Sequence, residues 1–473
     1  MENRNFLILC SDEHAPRALS CLGHPTIKTP VLDSLAARGT VFDRAYSPSP
    51  ICVPARACLA TGQHVHETKC WSSAEPYHGQ HRSWMHDLRD AGRNVTSIGK
   101  LHFRSGLDDN GFSEEILPMY LANDGKGWPQ GLIRDPMPGF PEAAEMAKDV
   151  GPGESTYTNY DKDIAELTVD WLRKPVAQDP WTLFVSFVSP HYPLTAPQEF
   201  FDLYKDVELP EPIVDQLIDK HPVLREMRKF WDYDDYFDVK SRDLAVRSYF
   251  GLCSFLDHNI GRVISALEET GQLDNTVILY ISDHGEMLGN HGFWAKSVMY
   301  EDSVGIPMII AGPDIPQGIN TTPVNLVDVA ATARQTAGIE YQSPDEDWQS
   351  TSLVDLAKAP DSDRFTFSQY HDGGSPTGFY MIRRGDWKYV YYTKENPCQL
   401  FNMTEDPHEL NDLGDSETHT AIRAEMHELL CRVVEPESVN EVAFADQEKA
   451  IAANGGKDAI LNLPSFNHTP VGG

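Results

Sequence analysis

Two nearly unbroken apolar runs, residues 182–188 (Thr-Leu-Phe-Val-Ser-Phe-Val) and 276–281 (Thr-Val-Ile-Leu-Tyr-Ile), constrain this chain most. A strand with one wet face alternates apolar and polar residues, whereas a run without alternation is covered on both faces. Shorter runs of the same type fall at 5–10, 94–98 and 307–310. Helical patterns lie between them at 31–38, 54–61, 83–91, 162–173 and 243–269. Strands and helices in alternation predict an α/β fold, a large, mostly parallel sheet sandwiched by helices. A chain of 473 residues has room for one large unit of this kind and an appendage.

The texture changes over residues 340–364, where Ser343-Pro344-Asp345-Glu346-Asp347 and Pro360-Asp361-Ser362-Asp363 read as acidic loops. Short aromatic strands then follow at 365–369, 378–383 and 387–392, with a helical pattern at 419–434. The expected division is a catalytic α/β domain over 1–362 and, over 363–473, a smaller antiparallel sheet with a helix and a polar tail. The tail after Glu435 is expected to wrap the surface or a neighbouring subunit. Acidic segments at 123–156 and 205–241 read as long insertions, and with the tail they are material for a homo-oligomer interface.

Charge excludes several functions. With 39 Lys and Arg against 71 Asp and Glu, the net charge is −32. Nucleic-acid binding needs a basic face and is not expected, nor is an anionic membrane surface as partner. No run reaches the ~18 apolar residues of a membrane span. The first apolar run, residues 6–10, ends at Ser11-Asp12-Glu13-His14, too short for a signal-peptide core, so the expected location is cytoplasmic. Eight cysteines without a C-x-x-C pair argue against a disulfide framework or a zinc knuckle.

In an open α/β sheet, chemistry collects beyond the carboxyl ends of the strands. Asp12 follows the first strand and Asp283-His284-Gly285 follows the run at 276–281. Together these acids and the imidazole suit a divalent cation; singly, each reads equally as a turn residue. Cys52 is predicted just before a helix that Pro54 begins, where the helix dipole favours anions, and Arg56 lies about one turn on. A lone cysteine there reads as a packing residue or a low-pKa thiol.

The longer string changes that reading. Cys52-Val53-Pro54-Ala55-Arg56, followed by Thr61-Gly62, resembles the C-x-P-x-R signal of the type I, formylglycine-dependent sulfatases of the alkaline phosphatase superfamily. Gly99-Lys100-Leu101-His102, Ser189-Pro190-His191-Tyr192-Pro193, Asp283-His284-Gly285, His291-Gly292 and Lys296 match further family segments in order. Leu400-Phe401-Asn402 and Asp406-Pro407 extend the resemblance to about residue 413. The Asp-His pair at 283–284 is similar to the choline-sulfatase and phosphonate-monoesterase branches, within a choline-sulfatase-like or arylsulfatase-like group.

The resemblance implies hydrolysis of a small sulfate monoester to alcohol and sulfate. Cys52, oxidised by a formylglycine-generating enzyme, would supply a metal-bound gem-diol nucleophile and pass through a covalent sulfo-enzyme. Asp12, Glu13, Cys52, Asp283 and His284 are the implied metal set, with Glu13 open because relatives carry Asp or Gln there. The implied ion is Ca²⁺, with Mn²⁺ or Mg²⁺ as alternatives. Arg56, Lys100 and Lys296 would neutralise the transferring group, His191 with Lys296 would protonate the leaving oxygen, and His102 would be the base that releases sulfate. His371 is expected near the substrate, against a turn role. An aromatic cage for a quaternary ammonium could draw on Trp71, Tyr77, Trp84, Trp128 or Trp294. The rival readings are a phosphonate monoester or phosphodiester hydrolase with the same site, and a non-catalytic anion-binding relative.

Overall fold

The computed structural model describes residues 4–174, 180–214, 221–340, 348–464 and 466–471. The acidic stretch Ser343-Pro344-Asp345-Glu346-Asp347 and residues 215–220 of the second insertion lie outside the described residues. An eight-stranded sheet carries the larger part of the chain. Its spatial order is Gly318–Asn320, Gly39–Phe42, Met308–Ala311, Thr276–Ser282, Asn5–Asp12, Trp181–Pro190, Asn94–Lys100 and Glu114–Met119. Every pairing is parallel except the two made by Met308–Ala311, which runs antiparallel to both neighbours.

The apolar runs have a direct cause in this arrangement. Along Asn5–Asp12, Phe6, Ile8 and Cys10 enter one core layer while Leu7 and Leu9 enter the other. Thr276–Ser282 divides the same way, with Val277, Leu279 and Ile281 opposite Ile278 and Tyr280. Helices Thr156–Arg173 and Val239–Glu269 cover the second layer, contributing Ile164, Ala165, Ile260 and Val263 to it. The Cys52–Thr61 helix lies in the first layer and is buried at every position. Its Ala55, Ala57 and Ala60 keep it thin enough to lie close against the sheet.

A separate four-stranded antiparallel sheet, Phe365–Tyr370, Phe379–Arg384, Trp387–Tyr392 and Gln399–Asn402, is backed by the helix Thr420–Val433. Buried polar groups fasten it to the large sheet's side. Lys388 reaches Glu301 (3.1 Å) and Glu409 (2.7 Å), and Arg364 pairs with Asp328 at 2.8 Å. Among the described residues no helix is long and apolar enough to cross a membrane.

One expectation of local structure needs correction. Cys52 is inside the first turn of its helix, with Ile51 at the N-cap, and not ahead of it. Pro54 still fits there, because the first-turn N–H groups have no intrahelical acceptor. The polar tail is largely helical, Pro436–Ala453 and then Lys457–Leu461. Its buried stripe is Pro436, Asn440, Ala443, Gln447 and Ile451, a helical repeat in which two members are amides. Those amides are satisfied by Gly378 N–H (2.8 Å), Arg134 (3.2 Å) and the His371 carbonyl (2.7 Å). A stripe built on hydrogen bonds leaves little hydrophobic periodicity to read.

Candidate active site

Four neighbouring parallel strands, Thr276–Ser282, Asn5–Asp12, Trp181–Pro190 and Asn94–Lys100, end at the same edge of the sheet. Asp283 and His284, Asp12, His191 and Lys100 with His102 therefore meet there. Lys100 is turned into the site by a bulge at Gly99, whose φ is +99°. A Cβ at Gly99 would lie 2.2 Å from the Ser186 carbonyl oxygen, so only glycine fits.

The deepest part is a charge cluster. Cys52 Sγ lies 3.0 Å from His284 Nε2 and 3.7 Å from Asp12 Oδ1. His284 Nε2 is 3.6 Å from Asp12 Oδ1 and 3.7 Å from Asp283 Oδ1. Arg56 sits behind them. Its Nε donates to Asp283 Oδ2 (2.8 Å) and another nitrogen reaches Asp12 Oδ2 (3.3 Å). Its remaining bonds go to the Lys100 carbonyl (2.9 Å) and Ser186 Oγ (3.0 Å). Lys100 pairs with the same Asp12 oxygen. Burial works against charge on Asp12, but Lys100, His191 and Arg56 together hold its carboxyl well below the usual range. Burial pushes the Cys52 thiol up to about 12.

This donor set fits a divalent cation. Arg56 and Lys100 engage the outer carboxylate oxygens, which leaves Asp12 Oδ1 and Asp283 Oδ1 facing His284 Nε2 and Cys52. His284 Nδ1 is 3.0 Å from the Gly285 carbonyl oxygen, which fixes the proton there and leaves the Nε2 lone pair for a metal. Two hard oxygens and one imidazole suit Ca²⁺, Mg²⁺ or Mn²⁺.

A second group stands beside it. Lys296 Nζ is 2.7 Å from His191 Nε2 and 3.2 Å from Glu13 Oε1, and His191 Nε2 is 3.3 Å from Glu13 Oε2. His191 Nδ1 donates to the Tyr192 carbonyl at 2.7 Å, so its Nε2 accepts from the lysine. Burial holds His191 well below its ordinary value, with Lys296 acting in the same direction. Burial pushes Glu13 up to about 8, with Lys296 pulling the other way. Glu13 thus faces the Lys296–His191 pair, although with Asp12 and His191 it also forms a second set of convergent ligand atoms. His102, neutral through burial next to Lys100, has neither ring nitrogen paired among the described residues. Glu13 and His102 both hold left-handed backbone, φ 67° and 55°, the strain that clusters at functional sites.

Above this floor opens a cavity of about 980 Å³, its mouth included. Cys52, Glu13, Lys100, His102, His191 and Lys296 line its inner end. Its outer wall is Trp128, Phe140, Trp231, Tyr233 and Trp294, with Phe466–Thr469 from the tail. Trp128 stacks on Trp231 at 5.8 Å and Trp231 on Tyr233 at 5.8 Å.

Of the sequence candidates, His371 is not brought to the cavity. Its ring packs edge-on between Trp71 (5.1 Å) and Tyr380 (5.3 Å), and its carbonyl holds Gln447. Of the five rings considered for a cage, Trp128 and Trp294 line the cavity. Trp71, Tyr77 and Trp84 are buried elsewhere. Arg56 contacts the ligands and not the cavity, which makes it a positioning group. Sequence reading missed Phe140, Trp231, Tyr233, Tyr157 and residues 466–469. For Phe140, Trp231 and Tyr233 the one signal was the presence of rings within the acidic insertions at 123–156 and 205–241.

The strand-edge site and the fold define a hydrolase of the alkaline-phosphatase-like class, and the family is shown directly. A family model described as Sulfatase matches residues 4–339, and one described as N-sulphoglucosamine sulphohydrolase, C-terminal, matches 289–435. The chain belongs to the sulfatase family and is a sulfuric ester hydrolase. It is 33% identical over 433 residues to a choline-sulfatase of Rhizobium meliloti, covering 87% of this chain and 82% of that protein. It is 28% identical to an arylsulfatase K of Danio rerio, covering 92% and 85%. In fold it is similar to the phosphonate monoester hydrolase of Agrobacterium radiobacter, with a TM-score of 0.74 at 21% identity over 93% and 96% of the two chains. A protein solved with its substrate D-glucosamine-2-N,6-O-disulfate gives 0.72 at 21% identity over 94% and 99%.

Proposed function

We propose that this chain hydrolyses a small sulfate monoester with Cys52 carried as formylglycine and a divalent ion held by Asp12, Asp283 and His284. The supporting observation is the convergence of Cys52 with Asp12 Oδ1 and His284 Nε2 at the floor of the cavity. When bound, the metal and the hydrated aldehyde supply an oxygen nucleophile of lowered pKa and a Lewis acid for the sulfuryl oxygens.

The chain's own side chains account for the remaining steps. Arg56 and Lys100 hold the two carboxylates in place, and Lys100 adds positive charge beside the sulfuryl group, a preorganised term worth ~10²–10³ in rate. The short Lys296–His191 contact keeps a proton on Lys296 at the leaving-oxygen side, with Glu13 steadying the pair. His102, neutral and unpaired, is the group able to take the proton when sulfate leaves. Ca²⁺ remains the ion favoured by family resemblance, and a formylglycine-generating enzyme is the required maturation partner.

Mass spectrometry of the tryptic peptide 45–56, from protein matured with such an enzyme, tests the nucleophile. A peptide lighter by the CH₂SH-to-CHO change and reactive with a hydrazide is expected. Unmodified Cys52 in an active preparation would discard it. A second reading, phosphonate monoester or phosphodiester hydrolysis at the same site, draws on the Asp283–His284 pair and the phosphonate hydrolase neighbour. The ratio of turnover on an aryl sulfate to an aryl phosphonate monoester separates the two.

A further inference from the structure

We propose that Glu286 is a positioning residue for Lys296: its carboxylate ties the two ends of the loop 286–296 together and so holds the lysine ammonium against His191. The proposal deepens the sulfatase reading and rests on it. Glu286 is buried and does not line the cavity, whereas Ala295, Lys296 and Ser297 do, so it acts through the lysine.

The loop leaves the sheet edge just after Asp283 and His284 and returns to the cavity at Lys296. Two backbone bonds draw its arms together, Met287 N–H to the Ala295 carbonyl and Gly289 N–H to the Phe293 carbonyl, both at 2.8 Å. Glu286 lies across the neck. Its Oε1 accepts from the N–H groups of Leu288 and Ala295, both at 2.7 Å. Those two donors belong to residues in left-handed backbone, φ 49° and 60°, a region that side chains larger than glycine's disfavour. Strained backbone persists only where its surroundings over-determine it. Here one ionisable acceptor holds both strained residues at once.

The consequence falls on Lys296, which follows Ala295 directly. On its other side Ser297, also left-handed at φ 83°, donates its N–H to the Pro50 carbonyl at 3.0 Å, two residues ahead of Cys52. The lysine backbone thus hangs between two fixed points, and its Nζ reaches His191 Nε2 (2.7 Å) and Glu13 Oε1 (3.2 Å). Released to right-handed backbone, Ala295 would send the Lys296 stem out on another bearing and break that contact. Misplacing a reacting group by about 1 Å costs ~10²-fold in rate. Glu286 also lies in hydrogen-bonding range of Glu13, and its Oε2 has no donor among the described residues. Glutamine would therefore keep the loop closed, its carbonyl oxygen on the two N–H groups and its amide on Glu13. Aspartate, one methylene shorter, would keep the charge but fall short of the two donors.

Glu286→Gln and Glu286→Asp separate geometry from charge, assayed on mature protein with the metal content of each measured. Glu286→Asp should lower kcat ~10²-fold on an alkyl sulfate and less than ~3-fold on 4-nitrophenyl sulfate, whose alcohol leaves without help, while Glu286→Gln should recover most of the alkyl activity. Adding Lys296→Ala to Glu286→Asp should cost no more on the alkyl sulfate than Lys296→Ala alone, because the two act along one path. Crystal structures of the variants read the same point without turnover: the 2.7 Å Lys296–His191 contact should persist with glutamine and be broken with aspartate. Equal losses on both esters, a fully active Glu286→Asp, a Glu286→Gln as impaired as Glu286→Asp, or an unmoved Lys296 in Glu286→Asp overturns the proposal. Should Glu286→Asp not fold, Glu286→Gln still decides, because a loss above ~10-fold on the alkyl sulfate with metal content intact overturns a clamp that glutamine preserves. Mature wild type that cleaves neither ester defeats the sulfatase reading and leaves the crystallographic comparison to decide Glu286.

Discussion

The inner and outer ends of the one cavity are built on opposite principles. The inner end is made of charges fixed against each other at the ends of four paired strands. Asp12 alone meets Arg56, Lys100 and Cys52. The outer end is made of rings stacked on rings, carried by two insertions and the tail. Strands buried on both faces tolerate little movement, which suits groups that must be placed to a fraction of an ångström. Loops vary at low cost, which suits selection among alcohols. The difference teaches that chemistry and selectivity are separable here, and substitutions should separate them as rate and affinity.

The most severe break is at the inner end. Cys52→Ala should lower kcat at least ~10⁴-fold, as loss of a nucleophile does in comparable hydrolases. Chelation of the divalent ion should abolish turnover as completely and reversibly, checked by assay before and after adding back Ca²⁺, Mg²⁺ or Mn²⁺. Residual turnover in either case would mean that the floor cluster is not the reaction centre.

Lys296→Ala comes next and probes how the two ends communicate. If the Lys296–His191 pair protonates the departing oxygen, kcat should fall ~10²–10³-fold on an alkyl sulfate and far less on 4-nitrophenyl sulfate, whose alcohol leaves without help. An equal loss on both esters would make Lys296 a binder of the sulfuryl group. Either result locates the boundary between the ends along the 2.7 Å Lys296–His191 contact.

Much of the inner end was readable before any coordinates. Asp12, Asp283 and His284 follow strand ends and Cys52 lies at a helix start, whereas Lys100, His102, His191 and Lys296 were picked out by the resemblance of their segments to the family's. Local patterning announces the first four because apolar runs stop there. The outer wall has no equivalent. Trp128, Phe140 and Tyr233 lie in irregular segments where no period fixes which way a ring points, and Trp231 is the last residue of the helix Pro222–Trp231, where the helical pattern runs out. His371 shows the converse: a histidine in a polar loop looks reactive in sequence, yet its ring fills the gap between Trp71 and Tyr380. The tail hid its packing behind Asn440 and Gln447, whose burial depends on partners far along the chain.

A milder change sharpens the contrast at the outer end. Trp231→Ala removes a ring stacked on two neighbours and lining the cavity, so KM should rise ~10-fold while kcat changes less than ~3-fold, the mark of lost uniform binding. Steady-state kinetics on one aryl sulfate checks it. A large fall in kcat with KM unchanged would show that the wall takes part in the transition state, and the separation of the two ends would fail.

The smallest expected effect concerns stability. Behind the inner end, Asp161 accepts the N–H groups of Val188 and Ser189, both at 2.8 Å, just ahead of His191. Burial pushes its carboxyl up to about 6. The folded protein thus holds a proton that the unfolded chain, with its carboxyl near 3.9, releases earlier. The corresponding stability is fully present below the unfolded pKa and is lost as pH rises through about 6. Asp161→Asn cannot titrate and also loses one N–H contact, since its amide nitrogen must face a donor. The melting-temperature advantage of wild type over Asp161→Asn should therefore shrink by about 1–3 °C between pH 5 and 7.5. The corresponding difference for Trp231→Ala should stay flat over the same range, because no titrating group is lost with the ring. A gap that widens with pH would mean that the two N–H donors outweigh burial at Asp161, and that the charges behind the inner end are stabilised by the strand termini themselves.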